Sequence, residues 1–146
     1  MRKIILLQGA NVGHVWKRQP EIYGTATAAD LDRSLTAYAT SRGVALEIVY
    51  THIEGEAIAS LYKAANEGAE GVLMNPGGFL HGGFALRDCL RGLGIPCVEI
   101  HMTNIEKRGM KSVTIEAALG AVIGFGMNGY QVGLDALLGH LDKTAS

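Results

Sequence analysis

GVLMNPGGFLHGGFALRD, residues 71–88, places an apolar run before a loop of four glycines, one proline and one histidine, with a helix-like pattern after it. Strand, glycine-rich loop and helix in that order form the building unit of an α/β fold. Four more runs of the same kind lie along the chain: KIILL (3–7), ALEIVY (45–50), PCVEI (96–100) and GAVIGF (120–125). Each is rich in Val, Ile or Leu and lacks strict alternation, as expected of strands covered on both faces in a parallel sheet.

Helical patterns fill most of the intervals. Thr27 with Asp30 reads as a capping box, Leu31, Leu35 and Tyr38 then recur at helical spacing, and Gly43 is placed to end the helix. Ile58, Leu61, Tyr62 and Ala65 form a second stripe, stopped at Gly68. Leu86, Cys89, Leu90 and Leu93 form a third, and Leu134, Leu137, Leu138 and Leu141 a fourth. Residues 103–116 are polar and poorly patterned, which predicts loop and a short helix, and DKTAS at the end should fray. The alternation predicts one domain, residues 1–146, with three layers, a five-stranded parallel sheet and right-handed crossovers.

Composition agrees with a single packed core: 48% of 146 residues are apolar. Thirteen basic residues against fourteen acidic ones, with no long run of either, argue against a nucleic-acid partner. No apolar segment is long enough to span a bilayer, and the opening MRKIILLQGANVG breaks too early for a signal peptide, so a cytoplasmic location is expected. Cys89 and Cys97 lack close metal or redox spacing and read as small core residues.

In open parallel sheets ligands sit beyond the carboxyl ends of the strands, near the topological switch point. That rule singles out QGANVG (8–13), THIEGE (51–56), NPGG (75–78) and HMTN (101–104). Gly9 and Gly13 fit neither dinucleotide nor P-loop spacing. Anion binding by backbone amides at GGFLHGG, where a helix begins, stays open beside a plain glycine turn. His101 follows Glu99 by two residues, so both side chains share one face of a strand and the carboxylate can orient the imidazole as a general acid. A structural histidine beside a solvated glutamate is the alternative. In KRQPEIYG (17–24), Arg18 beside Tyr23 would favour phenolate and create a base, although taken alone an Arg and a Tyr in a loop are usually surface residues. The five histidines form no H-x-x-x-H pair, which disfavours a metal site.

Together these segments resemble type II 3-dehydroquinate dehydratases. The family's first motif, N-G-P-N-L-N-x-L-G-x-R-E-P-x-x-Y-G, corresponds to QGANVGHVWKRQPEIYG, which keeps Asn11, Arg18, Pro20, Tyr23 and Gly24. EGE at 54–56 also matches. The second, N-P-G-[AG]-x-T-H-T-S-x-A-[IL]-R-D, corresponds to NPGGFLHGGFALRD, keeping Asn75, His81, Arg87 and Asp88. The third, E-V-H-[IL]-S-N, corresponds to EIHMTN, with Glu99, His101, Asn104 and Thr103 in place of serine. GAVIGFGMNGYQVGLDAL resembles the glycine-rich last strand and C-terminal helix, so the likeness spans the chain.

The resemblance implies a flavodoxin-like fold, no metal or organic cofactor, a small-molecule carboxylate substrate, and a homo-oligomer, a dodecamer built from trimers. It implies anti elimination of water through an enolate. Tyr23 would be the base and Arg18 would hold it as phenolate; Asn11 would position a water on the enolate, and His101, oriented by Glu99, would protonate the leaving hydroxyl. Asn75, His81 and the backbone at Met102 and Thr103 would hold the carboxylate and a neighbouring hydroxyl, and Asp88 would reach a neighbouring subunit's site. Residues 12–23 would act as a lid.

The chain departs from the pattern at Ala10, Gly13 and Gln19, and at Leu80, Gly82 and Gly83, which stand where the family has hydroxyl residues. Beyond Asn104 the family reads R-E-x-F-R-x-x-S where this chain, from Arg108, reads RGMKS, three residues shorter. Arg108 matches the first arginine; the second has no clear counterpart, and Lys111 could replace it as a point charge. Two alternatives follow: a paralogue that dehydrates a related cyclic hydroxy-keto acid, and a non-catalytic carboxylate-binding protein with a relic site.

Overall fold

The computed structural model describes residues 1–14 and 27–145. Five strands, β1 (Arg2–Ala10), β2 (Val44–Tyr50), β3 (Ala69–Gly77), β4 (Cys97–His101) and β5 (Gly120–Ile123), form a parallel sheet in the order β2-β1-β3-β4-β5. Among the described residues four α-helices accompany them: α1 (Ala28–Ser41), α2 (Glu54–Asn66), α3 (Phe84–Gly92) and α4 (Asn128–Thr144). This is the three-layer, flavodoxin-like arrangement that the sequence pattern and the resemblance predict.

Side chains alternate across each strand, and that alternation divides the core. Ile4 and Leu6 of β1, Leu73 of β3, and Val98 and Ile100 of β4 pack with residues of α1 and α4. Ile5 and Leu7, Val72 and Met74, and Cys97 face the opposite way, with residues of α2 and α3. Burying each such aliphatic side chain contributes roughly 1.5–3 kcal/mol, so the three central strands hold the sheet together. Burial on both faces applies to β1, β3 and β4. It fails for β2 and β5, where exposed and part-buried residues predominate, because those strands are the sheet's two edges.

Local signals place the helix ends well. Thr27 Oγ1 accepts from the Asp30 amide at 3.1 Å while Asp30 Oδ2 accepts from the Thr27 amide at 2.9 Å, completing the capping box. The second stripe is rotated from its sequence reading. Ala57, Leu61 and Ala64 face the core, whereas Tyr62 is exposed. Small alanines let α2 lie close to the sheet, and the bulky phenol remains at the rim. The final helix also outlasts expectation, running to Thr144, with Asp142 Oδ1 2.8 Å from Arg2 Nη1. Among the described residues no helix is long and apolar enough to cross a membrane.

Candidate active site

Strand β1 connects outward to β2, and the chain then returns to β3 on the other side of β1, so the switch point lies between β1 and β3. At the carboxyl ends of β1, β3 and β4 is a cleft of about 200 Å³, reached by Asn11, Asn75, His81, His101, Thr103 and Arg108. Leu80, Ile105 and Met110 supply apolar walls. Backbone contact between β1 and β3 is tight here. A Cβ on Gly9 would come within 2.1 Å of the Pro76 carbonyl oxygen, and one on Gly77, whose φ is +54°, within 2.3 Å of the Ala10 oxygen. Glycine is required at Gly77 on both counts.

Behind His101 lies a buried charged cluster. Glu99 is completely buried, and its Oε2 is 2.6 Å from His101 Nε2. Ser112 Oγ donates to the same oxygen at 2.6 Å, and Thr114 Oγ1 donates to Oε1 at 2.5 Å. Three donors on one carboxylate satisfy its charge and fix its plane. The carboxylate binds the ring's Nε2–H, and Nδ1 has no hydrogen-bond partner among the described residues, which leaves it for proton transfer. Burial, with Glu99 adding to it, also pushes the neighbouring Cys97 thiol well above its usual range.

A second polar chain underlies Asn75. Its Oδ1 accepts from the Gly77 amide at 3.0 Å, its Nδ2 donates to Tyr130 Oη at 2.9 Å, and Tyr130 donates to Gln8 Oε1 at 3.0 Å. Gln8 Nε2 is buried and has no hydrogen-bond partner among the described residues. The nearby Tyr50 phenol donates to Asp32 at 2.9 Å. Asn11 sits at φ +71°, its amide donating to His52 Nδ1 at 3.0 Å. A non-glycine residue in the left-handed region, held by a side chain from the neighbouring strand end, is backbone strain retained at the cleft mouth.

The glycine loop resolves differently from a phosphate cradle. Glu54 Oε2 already accepts from the Leu86 amide at 3.0 Å, so a carboxylate of this chain occupies the first turn of α3. A Cβ at Gly83 would approach the Phe79 carbonyl oxygen to 2.7 Å, so the turn itself excludes a serine there. Leu80 is buried and meets the cleft with methyl groups.

The structure thus brings Asn11, Asn75, His81, His101, Met102 and Thr103 to one cleft, with Glu99 directly behind His101. Arg18 and Tyr23 lie outside the described residues. Asp88 is an exposed residue of α3 away from the cleft lining. Lys111 is also away from it, with Nζ 3.4 Å from Glu106 and a side chain 85% exposed. Among the described residues the cation that lines the cleft is Arg108, whose Nη1 donates to Thr103 Oγ1 at 2.9 Å. Sequence reasoning matched Arg108 to a motif but assigned the site to Lys111. Ser112 and Thr114 were missed altogether, since two hydroxyls in a polar stretch carry no periodic signal.

Comparison with known proteins agrees with this geometry. Residues 2–138 match the family model described as dehydroquinase class II. The 3-dehydroquinate dehydratase of Carboxydothermus hydrogenoformans is 38% identical over 144 residues, covering 97% of this chain and 93% of that protein. That of Teredinibacter turnerae is 38% identical over 147 residues, covering 99% and 96%. The crystal structure of the type II dehydroquinase from Propionibacterium acnes superposes with a TM-score of 0.87 at 33% identity, covering 94% of this chain and 96% of that one. A match of this extent in sequence and fold, with the Glu99–His101 pair seated at the sheet's switch-point cleft, makes the chain a member of the class II dehydroquinase family.

Proposed function

We propose that the protein removes water from 3-dehydroquinate to give 3-dehydroshikimate. The observation that carries this reading is the His101–Glu99 pair, buried, clamped by two hydroxyls and open to a cleft with amide and guanidinium donors. Tyr23, kept as phenolate by Arg18, takes the proton beside the ketone, and the C–H electron pair enters an enolate. Asn11 holds the water that stabilises that enolate. The C–O bond then breaks, and the departing hydroxide takes a proton from His101 to leave as water, while Glu99 holds the imidazole in place. Asn75, His81 and the backbone of Met102 and Thr103 receive the carboxylate and adjacent hydroxyl. Asp88 reaches a neighbouring subunit in a homo-oligomer, a dodecamer of trimers in the cytoplasm, and sedimentation velocity tests that assembly.

Growth of enone ultraviolet absorbance on mixing with 3-dehydroquinate, abolished by Tyr23→Phe, is the expected result. Absence of turnover by folded protein refutes the assignment. The apolar walls at Leu80, Ile105 and Met110 favour a second reading in which the substrate is a related cyclic hydroxy-keto acid with fewer hydroxyls. A kcat/KM for 3-dehydroquinate within the usual enzymatic range of about 10⁴–10⁸ M⁻¹s⁻¹ removes that reading.

A further inference from the structure

The polar chain beneath Asn75 has a fixed direction. The Gly77 backbone N–H can only donate, so the Asn75 atom 3.0 Å away must be its carbonyl oxygen, and the amide nitrogen faces Tyr130. Tyr130 therefore accepts from Asn75 and gives its own proton to Gln8 Oε1. One Asn75 N–H is consumed, and the second has no partner among the described residues, although the side chain lines the cleft. With its oxygen turned to the Gly77 amide and one N–H spent on Tyr130, the Asn75 group left for the cleft among the described residues is an N–H donor.

Two features show that the fold makes room for this arrangement. Helix α4 approaches β4 through Gly133, where a Cβ would stand 2.9 Å from Ile100 Cδ1, and Gly129, where it would touch Ile100 and Val122 at 3.6 Å. That approach carries Tyr130, fully buried, under the ends of β1 and β3. Gln8 meanwhile leaves its own amide nitrogen without a hydrogen-bond partner among the described residues. An apolar residue would avoid that orphan, so the amide is best explained by what its oxygen does for Tyr130.

We propose that Tyr130 and Gln8 are positioning residues that hold Asn75 against the Gly77 amide, which sets its polarity, so that this edge of the cleft presents an N–H to a hydrogen-bond acceptor on the substrate. The inference rests on the dehydratase reading only for its kinetic arm. Tyr130→Phe is expected to raise KM for 3-dehydroquinate about three- to tenfold, the equivalent of one neutral hydrogen bond, with kcat within about twofold. In an Asn75→Ala background the same substitution should change KM less than about twofold, because its target is gone. Gln8→Met removes Tyr130's acceptor and the orphan amide together, so KM should rise while Tm stays level or increases. A purely structural role would instead lower Tm and leave KM alone.

The structural arm needs no turnover. In crystals of Tyr130→Phe, Asn75 Oδ1 should leave hydrogen-bonding range of the Gly77 amide. Should Asn75 stay in place there, or the Tyr130→Phe effect persist in full without Asn75, the positioning role is overturned. If the wild-type protein fails to turn over 3-dehydroquinate, the dehydratase reading falls and the crystal arm still decides this one. Should Tyr130→Phe fail to fold, Gln8→Met serves in both arms.

Discussion

Replacing Glu99 by glutamine isolates the charge of the buried cluster from its shape. The glutamine oxygen can face His101 and Ser112, and its amide can face Thr114. Thr114 then turns its hydroxyl toward Ser112, 3.1 Å away, and every polar atom keeps a partner. Three charge-assisted bonds become neutral ones, a loss of about 1 kcal/mol each, but the penalty of a buried charge, several kcal/mol, disappears with it. Folding stability should therefore change by no more than about 2 kcal/mol. Catalysis has no such compensation, because a neutral amide does not stabilise an imidazolium. The expected loss in kcat is about 10²- to 10⁴-fold, the usual worth of a positioned general acid. Glu99→Ala provides the contrast. It strands three donors around a cavity and should cost about 3–5 kcal/mol, lowering Tm by on the order of 10 °C. The assay pairs enone absorbance with thermal unfolding. Glu99→Gln retaining more than about a third of wild-type kcat, or falling in Tm as far as Glu99→Ala, would refute the argument.

Three further expectations follow from the same geometry. Arg108→Ala should raise KM for 3-dehydroquinate about 10- to 100-fold, the worth of one charge-assisted contact, while Lys111→Ala stays within about twofold of wild type; steady-state kinetics that reverse this order would return the cleft's cation to Lys111. Gly9→Ala forces a methyl against the Pro76 carbonyl and should destabilise by about 1–3 kcal/mol, read as a lowered denaturation midpoint at unchanged m-value. Cys89 and Cys97 are both buried, and burial raises both thiols, so iodoacetamide at pH 8 should label neither in the native protein and both in denaturant, with rapid native labelling of Cys97 as the contrary result.

How much of this was legible beforehand depended on whether a residue's role had a period. KIILL, GVLM and PCVEI announced the central strands because burial on both faces leaves unbroken apolar runs. The edge strands, with comparable composition, showed no sign in sequence that one side would stay open. Tyr62 looked like core because aromatic and aliphatic residues score alike at helical spacing, while Ala57 and Ala64, the residues that meet the sheet, are too small to stand out. The Glu99–His101 pair was readable because strand alternation puts i and i+2 together. Its clamp was not, since Ser112 and Thr114 come from an irregular segment whose approach to Glu99 is set by tertiary folding. Tyr130 read as one more position on the last helix, because no local pattern links it to Gln8, 122 residues away in the chain.

The segment between Asn104 and Lys111 is fastened at both ends by groups outside it. At its start, the Asn104 side-chain oxygen accepts from the Glu106 and Lys107 amides at 3.2 and 3.4 Å, directly after His101, Met102 and Thr103. At its finish, Ser112 and Thr114 are fixed on Glu99, and the Val113 amide donates to the Leu80 carbonyl at 2.9 Å. Everything between those anchors is free to change length, and three added residues cost only about 0.3 kcal/mol of loop-closure entropy. The stretch is thus an exchangeable cassette: the wall that Ile105, Arg108 and Met110 give the cleft can be rebuilt by grafting here, while His101 and its buried carboxylate keep their register.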